Sequence, residues 1–348
     1  MIALDAYSKS PSYVNSMFDT WLYVNAPMFI VRTDNHFTRY THRKAIKIDK
    51  GVNFNIYNVT NEPIAVKILK DTFDDLRHEP SFLDHNIFEA RILFTPFRGT
   101  SNGRQAIFNK FEEYYESIGY KVFTTDTDHD FFNRSAARNT AAMVSPKQVV
   151  AILDADVFID KEVLDEAVEE AALYNGVIKP SHCVVQYRSE YSTDEINKID
   201  VKERLLEIKN REDFSTETIE KRLKNGDSYF FNVNDENDPT NYIGALNYQG
   251  FVFIQRAVFW LGQDETFVEY GNEDSTYLQC VRRVLDVPVK YLSYTPSFSL
   301  PHAHREDQWN ETSFHKSFAV YDIKDNEALL ELLKRNAYYG HYGKFTSL

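Results

Sequence analysis

From Arg91 onward the chain alternates short apolar runs with helical ones, and this rhythm constrains the fold more than any other feature. ARILFTPF, YKVFTTD, QVVAILDADVFI and GVIKPS read as strands. Between them, RQAIFNKFEEYYESIGY puts Ile107, Phe111, Tyr114 and Ile118 on one helical face; RSAARNTAAMV and KEVLDEAVEEAALY are the next two helices. Strand followed by helix is how a chain builds a mostly parallel sheet, because a parallel connection needs a long crossover. The expected fold class is therefore α/β. Ligands of such sheets sit at the carboxyl ends of the strands, so the residues that end each strand are the first candidates for chemistry. Further on, NYIGALNYQGFVFIQ is sheet-like, EDSTYLQCVRRVL helical, PVKYLSYTPSFSLPH a last strand pair and DNEALLELLKRNAYY a closing helix.

Two stretches depart from the rhythm. Residues 1–88 hold WLYVNAPMFIVRT, KAIKID, NFNIYNV and PIAVKILKD, short β-branched and aromatic runs broken by Asn, Asp, Gly and Pro. They read as a small β-rich accessory module ahead of a larger domain at 89–348. Residues 190–240 are highly charged with a helical period, which marks an insertion. It is either a solvated helical excursion or an acceptor-binding lid.

Composition excludes several classes. With 39 Lys+Arg against 52 Asp+Glu, the net charge of −13 disfavours a global grip on nucleic acid. Cys183 and Cys280 are the only cysteines, too few for a disulfide scaffold or a thiolate zinc site. The sequence lacks an apolar run long enough to span a bilayer and a signal-peptide pattern at Met1. A cytoplasmic protein is expected, of a bacterium or of a cell hosting a virus.

The chemistry-bearing residues fall where strands end. Asp154-Ala155-Asp156 interrupts an apolar strand; two carboxylates at a strand's end suit a hard divalent cation bridging to a diphosphate. Pro96-Phe97-Arg98 ends the first strand, where an aromatic and a guanidinium can hold a base or phosphate. Phe132-Asn133-Arg134-Ser135 opens a helix on which Arg134 and Arg138 lie one turn apart. Tyr270-Gly271-Asn272-Glu273-Asp274 is a tight turn that presents adjacent carboxylates to a cleft at a helix N-terminus. His302 and His304 follow the last strand and can offer imidazole to a metal.

In this order, with Asn247-Tyr248-Gln249-Gly250 between the acidic motifs, the residues resemble the β-1,4-galactosyltransferase type of glycosyltransferase. Polypeptide N-acetylgalactosaminyltransferases and chondroitin polymerases share much of the plan. The resemblance spans about residues 91 to 310. It implies a GT-A fold, a nucleotide-sugar-binding sheet flanked by helices. It also implies a nucleotide-sugar donor of the UDP type, Mn²⁺ (or Mg²⁺), and inverting transfer to a hydroxyl of a glycan acceptor. Carried over by position, Pro96, Phe97, Arg98, Phe132, Arg134, Asp154, Tyr248 and Gly250 are donor contacts. Asp154, Asp156 and His304 or His302 are metal ligands. Asp274 is the general base with Glu273 beside it, and Tyr270 and Trp309 meet the sugars. Tyr270, Asn272 and Pro301 stand where the family has Trp, Gly and Met, which points to a different acceptor and coordination sphere. Two other readings compete: a virus-encoded enzyme glycosylating a modified DNA base, which the charge disfavours, and a non-catalytic sugar-binding module.

Overall fold

The computed structural model describes residues 19–24, 29–40, 44–49, 54–57, 91–99, 102–130, 132–145, 149–173, 177–187, 192–226, 230–233, 242–246, 252–255, 262–267, 272–285, 288–300 and 311–337. In chain order the first strands are β1 (Asp19–Val24), β2 (Phe29–Thr33), β3 (His36–Tyr40), β4 (Lys44–Asp49), β5 (Phe54–Tyr57) and β6 (Ile92–Pro96). Then come α1 (Asn102–Ser117), β7 (Lys121–Thr127), α2 (Arg134–Val144), β8 (Val149–Ile152), β9 (Val157–Phe158), α3 (Lys161–Leu173), β10 (Val177–Ser181) and β11 (Cys183–Tyr187). The charged stretch supplies α4 (Thr193–Lys198), α5 (Val201–Asn210), α6 (Thr216–Asn225) and β12 (Phe230–Val233). The chain then forms β13 (Tyr242–Leu246), β14 (Val252–Gln255), α7 (Glu273–Leu285), β15 (Val289–Ser293), β16 (Ser297–Ser299), α8 (Glu311–Asp322) and α9 (Asn326–Ala337).

The architecture is mixed α/β, a mostly parallel central sheet flanked by helices. Its strands run in the order β15-β10-β14-β8-β6-β7-β3-β2-β5. The contiguous block β8, β6, β7 and β3 is parallel throughout, and β10 pairs parallel with β15. Strand β14 is antiparallel to both its neighbours. Alternation along the strands builds two cores. Leu93, Val122, Ala151 and Ile178 face one way, with Phe111 and Tyr115 of α1 and Leu164 of α3. Phe94, Phe123, Ile152 and Val177 face the other, with Ala141 of α2, Val281 of α7 and Leu329 of α9.

The β-rich stretch before residue 88 divides between two sheets. β1 and β4 pair as an antiparallel ribbon, whereas β2, β3 and β5 continue the central sheet. β3 lies parallel to β7, with His36 opposite Thr124 and Thr38 opposite Asp126. HFTRY is poor in apolar residues, which hides it as a strand. It is buried because Arg39, 1% exposed, has a partner inside: Glu265 accepts from both terminal guanidinium nitrogens, at 2.8 and 2.6 Å.

The charged stretch at 190–240 is helical as expected, and it is also packed. Ser192 and Glu195 form a reciprocal capping box at α4, Asp200 caps α5, and Gly226 closes α6 in the left-handed conformation (φ 68°). Its apolar residues Ile196, Leu205, Ile208, Phe214 and Ile219 join the core beside α1.

A smaller sheet, β12-β13-β11-β16-β9, lies beside the first. Among the described residues, three short segments step from the central sheet to the smaller one: residues 153–156 from β8 to β9, His182 from β10 to β11, and residues 294–296 from β15 to β16. QVVAILDADVFI is therefore two strands in two sheets, and Asp-Ala-Asp is the step between them. Among the described residues no helix is long and apolar enough to cross a membrane.

Candidate active site at the seam between the two sheets

Strand β8 ends at Ile152. Leu153 N donates to Phe94 O at 3.0 Å, and Val157 N donates back to Asp154 O at 3.1 Å. That tight turn separates the two aspartates. Asp154 faces α2, where Arg138 Nη2 donates to its Oδ1 at 2.8 Å. Asp156 faces β16: Leu300 N donates to its carbonyl at 3.0 Å and Ser299 Oγ to its Oδ2 at 3.4 Å.

The turn before α7 arrives from the other side. Asn272 adopts φ 60°, the left-handed conformation that favours glycine and that asparagine tolerates better than other side chains. Asparagine thus supports this turn. Glu273 and Asp274 follow in the first turn of α7, where the positive end of the helix dipole favours carboxylates. Glu273 is buried. Its Oε1 accepts from Arg134 Nη1 at 3.0 Å, across 139 residues of sequence, and lies 3.5 Å from Arg138 Nη1. One guanidinium, that of Arg138, therefore touches both acidic motifs. Arg134 and Arg138, one turn apart on α2, both reach Glu273, a shared partner that the spacing alone did not name.

Two further cations border the site that sequence reasoning missed. Lys179 on β10 is fully buried. Burial pushes its pKa down to about 7 against the pull of Asp274 and Asp154. A lysine inside the apolar run GVIKPS was the available signal. Arg104, in the first turn of α1, has its proton affinity lowered by burial and by Arg134, while Asp156 and Asp154 oppose the shift. Nothing in the spacing of its helix distinguishes it. For Arg138, burial opposes the charge, but Asp154 and Glu273 outweigh it and its pKa is raised.

The first-strand motif builds the wall of the site. Pro96 ends β6 opposite Thr125. Phe97 stacks on Phe108 (centroids 4.3 Å apart) and is 8% exposed, so it belongs to the core edge. Arg98 holds Asp126 through two bonds of 2.7 and 2.8 Å, donates to the carbonyls of Thr127 and His129, and lies over the Phe132 ring. Arg98 therefore meets Phe132 and shapes the loop from β7 to α2, whereas Arg134, the residue that the resemblance pairs with Phe132, turns to Glu273. Asn133 caps α2, accepting from Ala136 N at 2.9 Å.

Tyr248, Gly250, Tyr270, His302, His304 and Trp309 lie outside the described residues. Among the described residues no group of three or more His, Cys, Asp and Glu gathers as a metal site. Comparison with protein-family models and with curated protein sequences finds no match for this chain.

Proposed function

We propose that the chain is a metal-dependent glycosyltransferase that moves a sugar from a nucleotide sugar, of the UDP type, to a hydroxyl of a glycan. The observation that carries this reading is the Arg138 guanidinium shared between Asp154 and Glu273. It joins, at the carboxyl edge of the sheet, two acidic motifs far apart in sequence. Their order along the chain, and the Arg98–Phe132 pair on the adjoining wall, favour the family resemblance over an unrelated charged cleft.

The charges in the site support a metal–diphosphate pair. Arg104, Arg134 and Arg138, together with Lys179, whose burial lowers its pKa to about 7, stand against Asp154, Asp156, Glu273 and Asp274, so cationic and anionic side chains nearly balance. A divalent cation and a diphosphate diester add to that balance without disturbing it. The carboxylates are hard oxygen donors at a rim that is not fully closed, which fits Mn²⁺ or Mg²⁺. Asp156 and Asp154 would hold the ion, with His302 or His304 from the segment that begins directly after Leu300. Once bound, such an ion neutralises the charge that develops on a diphosphate leaving group. Arg134 fixes Glu273, and α7 holds Asp274 at its first turn, where Asp274 takes the proton of the attacking hydroxyl. Inversion at the anomeric carbon follows from the resemblance.

The test is hydrolysis of UDP-sugars with and without Mn²⁺, followed by transfer to sugar acceptors. Asp156→Ala is expected to remove hydrolysis and transfer together. Asp274→Asn is expected to lower transfer about 10²–10⁴-fold while donor binding persists. Full transfer by either variant overturns the reading.

A further inference from the structure

The carboxyl edge carries a feature that this function does not use. His182, at the step from β10 to β11, stacks on Tyr291 (centroids 4.7 Å, planes 19° apart) and on Tyr294 (4.6 Å, 11°). The three rings are close to parallel and all remain partly exposed. His182 N donates to Ser293 O at 3.0 Å, and Ser181 Oγ to Thr295 O at 2.6 Å, so the backbone under the rings is clamped. The His182 Nδ1 atom is buried and has no hydrogen-bond partner among the described residues. Polar ring atoms buried in a native fold are nearly always bonded, so this ring is placed for its faces rather than for its nitrogen.

The position matters as much as the stacking. Tyr291 is the register partner of Lys179 on the neighbouring parallel strand. Strands lie about 4.8 Å apart, so the stack begins one strand from the buried lysine whose charge faces Asp274. At its other end Tyr294 leads into β16, which packs against α5 of the charged insertion. The stack therefore lies on the rim between the β10 edge and that insertion.

We propose that Tyr291, His182 and Tyr294 form a subsite for a sugar unit of the acceptor next to the reacting one. This proposal rests on the glycosyltransferase reading. Pyranose rings present a face of C–H bonds that covers an aromatic ring, while their hydroxyls stay hydrated. A partly exposed stack of near-parallel rings suits that face, with the Tyr291 and Tyr294 hydroxyls at its edge able to meet the sugar's own hydroxyls. The site takes glycans longer than one unit, and the insertion is its outer wall.

The experiment is saturation-transfer NMR on the full chain with UDP and Mn²⁺ present. The probes are methyl glycosides of glucose, galactose and N-acetylglucosamine and the disaccharides built from them. On the wild type, one disaccharide is expected to bind roughly three- to tenfold tighter than its monosaccharide, the size of an aromatic contact. Its ring C–H protons should carry the saturation. Tyr294→Leu and Tyr291→Leu should erase that advantage, Tyr294→Phe should keep it, and affinity for UDP with Mn²⁺ should be unchanged in all. Retention of the advantage in both leucine variants, or failure of every sugar to bind the wild type, overturns the subsite. Loss of UDP binding in the wild type overturns the donor reading instead, and the two failures are told apart by which ligand is lost. Should the leucine variants not fold, the protons saturated in the wild-type complex decide the matter alone.

Discussion

Helix α2 joins two buried charged networks that differ in what they leave open. On one side, Asn133 and Asn139 reach the 262–267 loop. Asn139 Nδ2 donates to Gln263 O, Glu265 Oε1 and Ala337 O, and Asn133 Nδ2 donates to Glu265 O. Glu265 in turn takes both terminal nitrogens of Arg39, with side chains 0% and 1% exposed. This network ties β3, α2, the loop and the end of α9 together, and solvent does not reach the ion pair. On the other side, Arg134 and Arg138 meet Glu273 and Asp154, beside Lys179, Arg104, Asp156 and Asp274. There Asp154 is 14% exposed and the cluster sits on a strand edge. The closed network is architecture. The second gathers buried charges beside the partly exposed Asp154 and Arg134 at the sheet's carboxyl edge, which makes it the candidate site.

Substitutions should separate the two. Breaking the closed pair by Glu265→Ala strands Arg39 in the core, so a loss of about 3–5 kcal/mol in unfolding free energy is expected from chemical denaturation. Replacing both partners, Arg39→Met with Glu265→Leu, should recover much of that loss, because a buried pair is often matched by apolar packing. Were the single substitution harmless, the closed network would not be what fixes β3 to the body of the molecule.

In the open cluster the order of effects reverses. Arg138→Met parts Asp154 from Glu273, while Arg134 continues to neutralise Glu273. UDP affinity in the presence of Mn²⁺ is expected to fall roughly tenfold or more, by calorimetry, with a smaller change in stability than Glu265→Ala produces. At Asn272, φ 60° asks for glycine or asparagine. Asn272→Gly should therefore leave stability within about 0.5 kcal/mol and keep activity, whereas Asn272→Val should cost about 1–2 kcal/mol.

The smallest effect is one of pH. His129 borders the closed network, and burial followed by the nearby Arg39 charge lowers its pKa below 6.5. Between those two values the unfolded chain binds more protons than the folded one. The stability tied to the neutral ring is present above pH 6.5 and is lost as pH falls through the folded pKa. Melting temperatures between pH 7 and pH 5 should fall less steeply for His129→Gln than for the wild type.

Much of this was legible in the sequence. Periodicity gave α1, α2, α3, α7 and α9, because each carries an apolar stripe or an Ala-rich face that a helix must bury. The Asp-Ala-Asp motif stood out because carboxylates are rare at the ends of apolar runs, and Glu273–Asp274 because a glycine turn presents them at a helix N-terminus. Three things were not legible. Strand β3 escaped because Arg39 breaks its apolar alternation, and only the distant Glu265 makes that arginine a core residue. Lys179 and Arg104 escaped because long-range pairing, not local spacing, gives them their place. The exchange of strands between two sheets escaped because a run such as QVVAILDADVFI looks continuous until the turn at Asp154 redirects it.

The central claim is that the open cluster holds a cation together with a nucleotide diphosphate. The most direct measurement is calorimetric titration of UDP into the wild type and into Asp156→Asn, each with and without Mn²⁺. Binding by the wild type that strengthens sharply with Mn²⁺, and a variant in which Mn²⁺ makes no difference, is the predicted result. Equal UDP affinity with and without Mn²⁺ in the wild type, or no UDP binding at all, would contradict it.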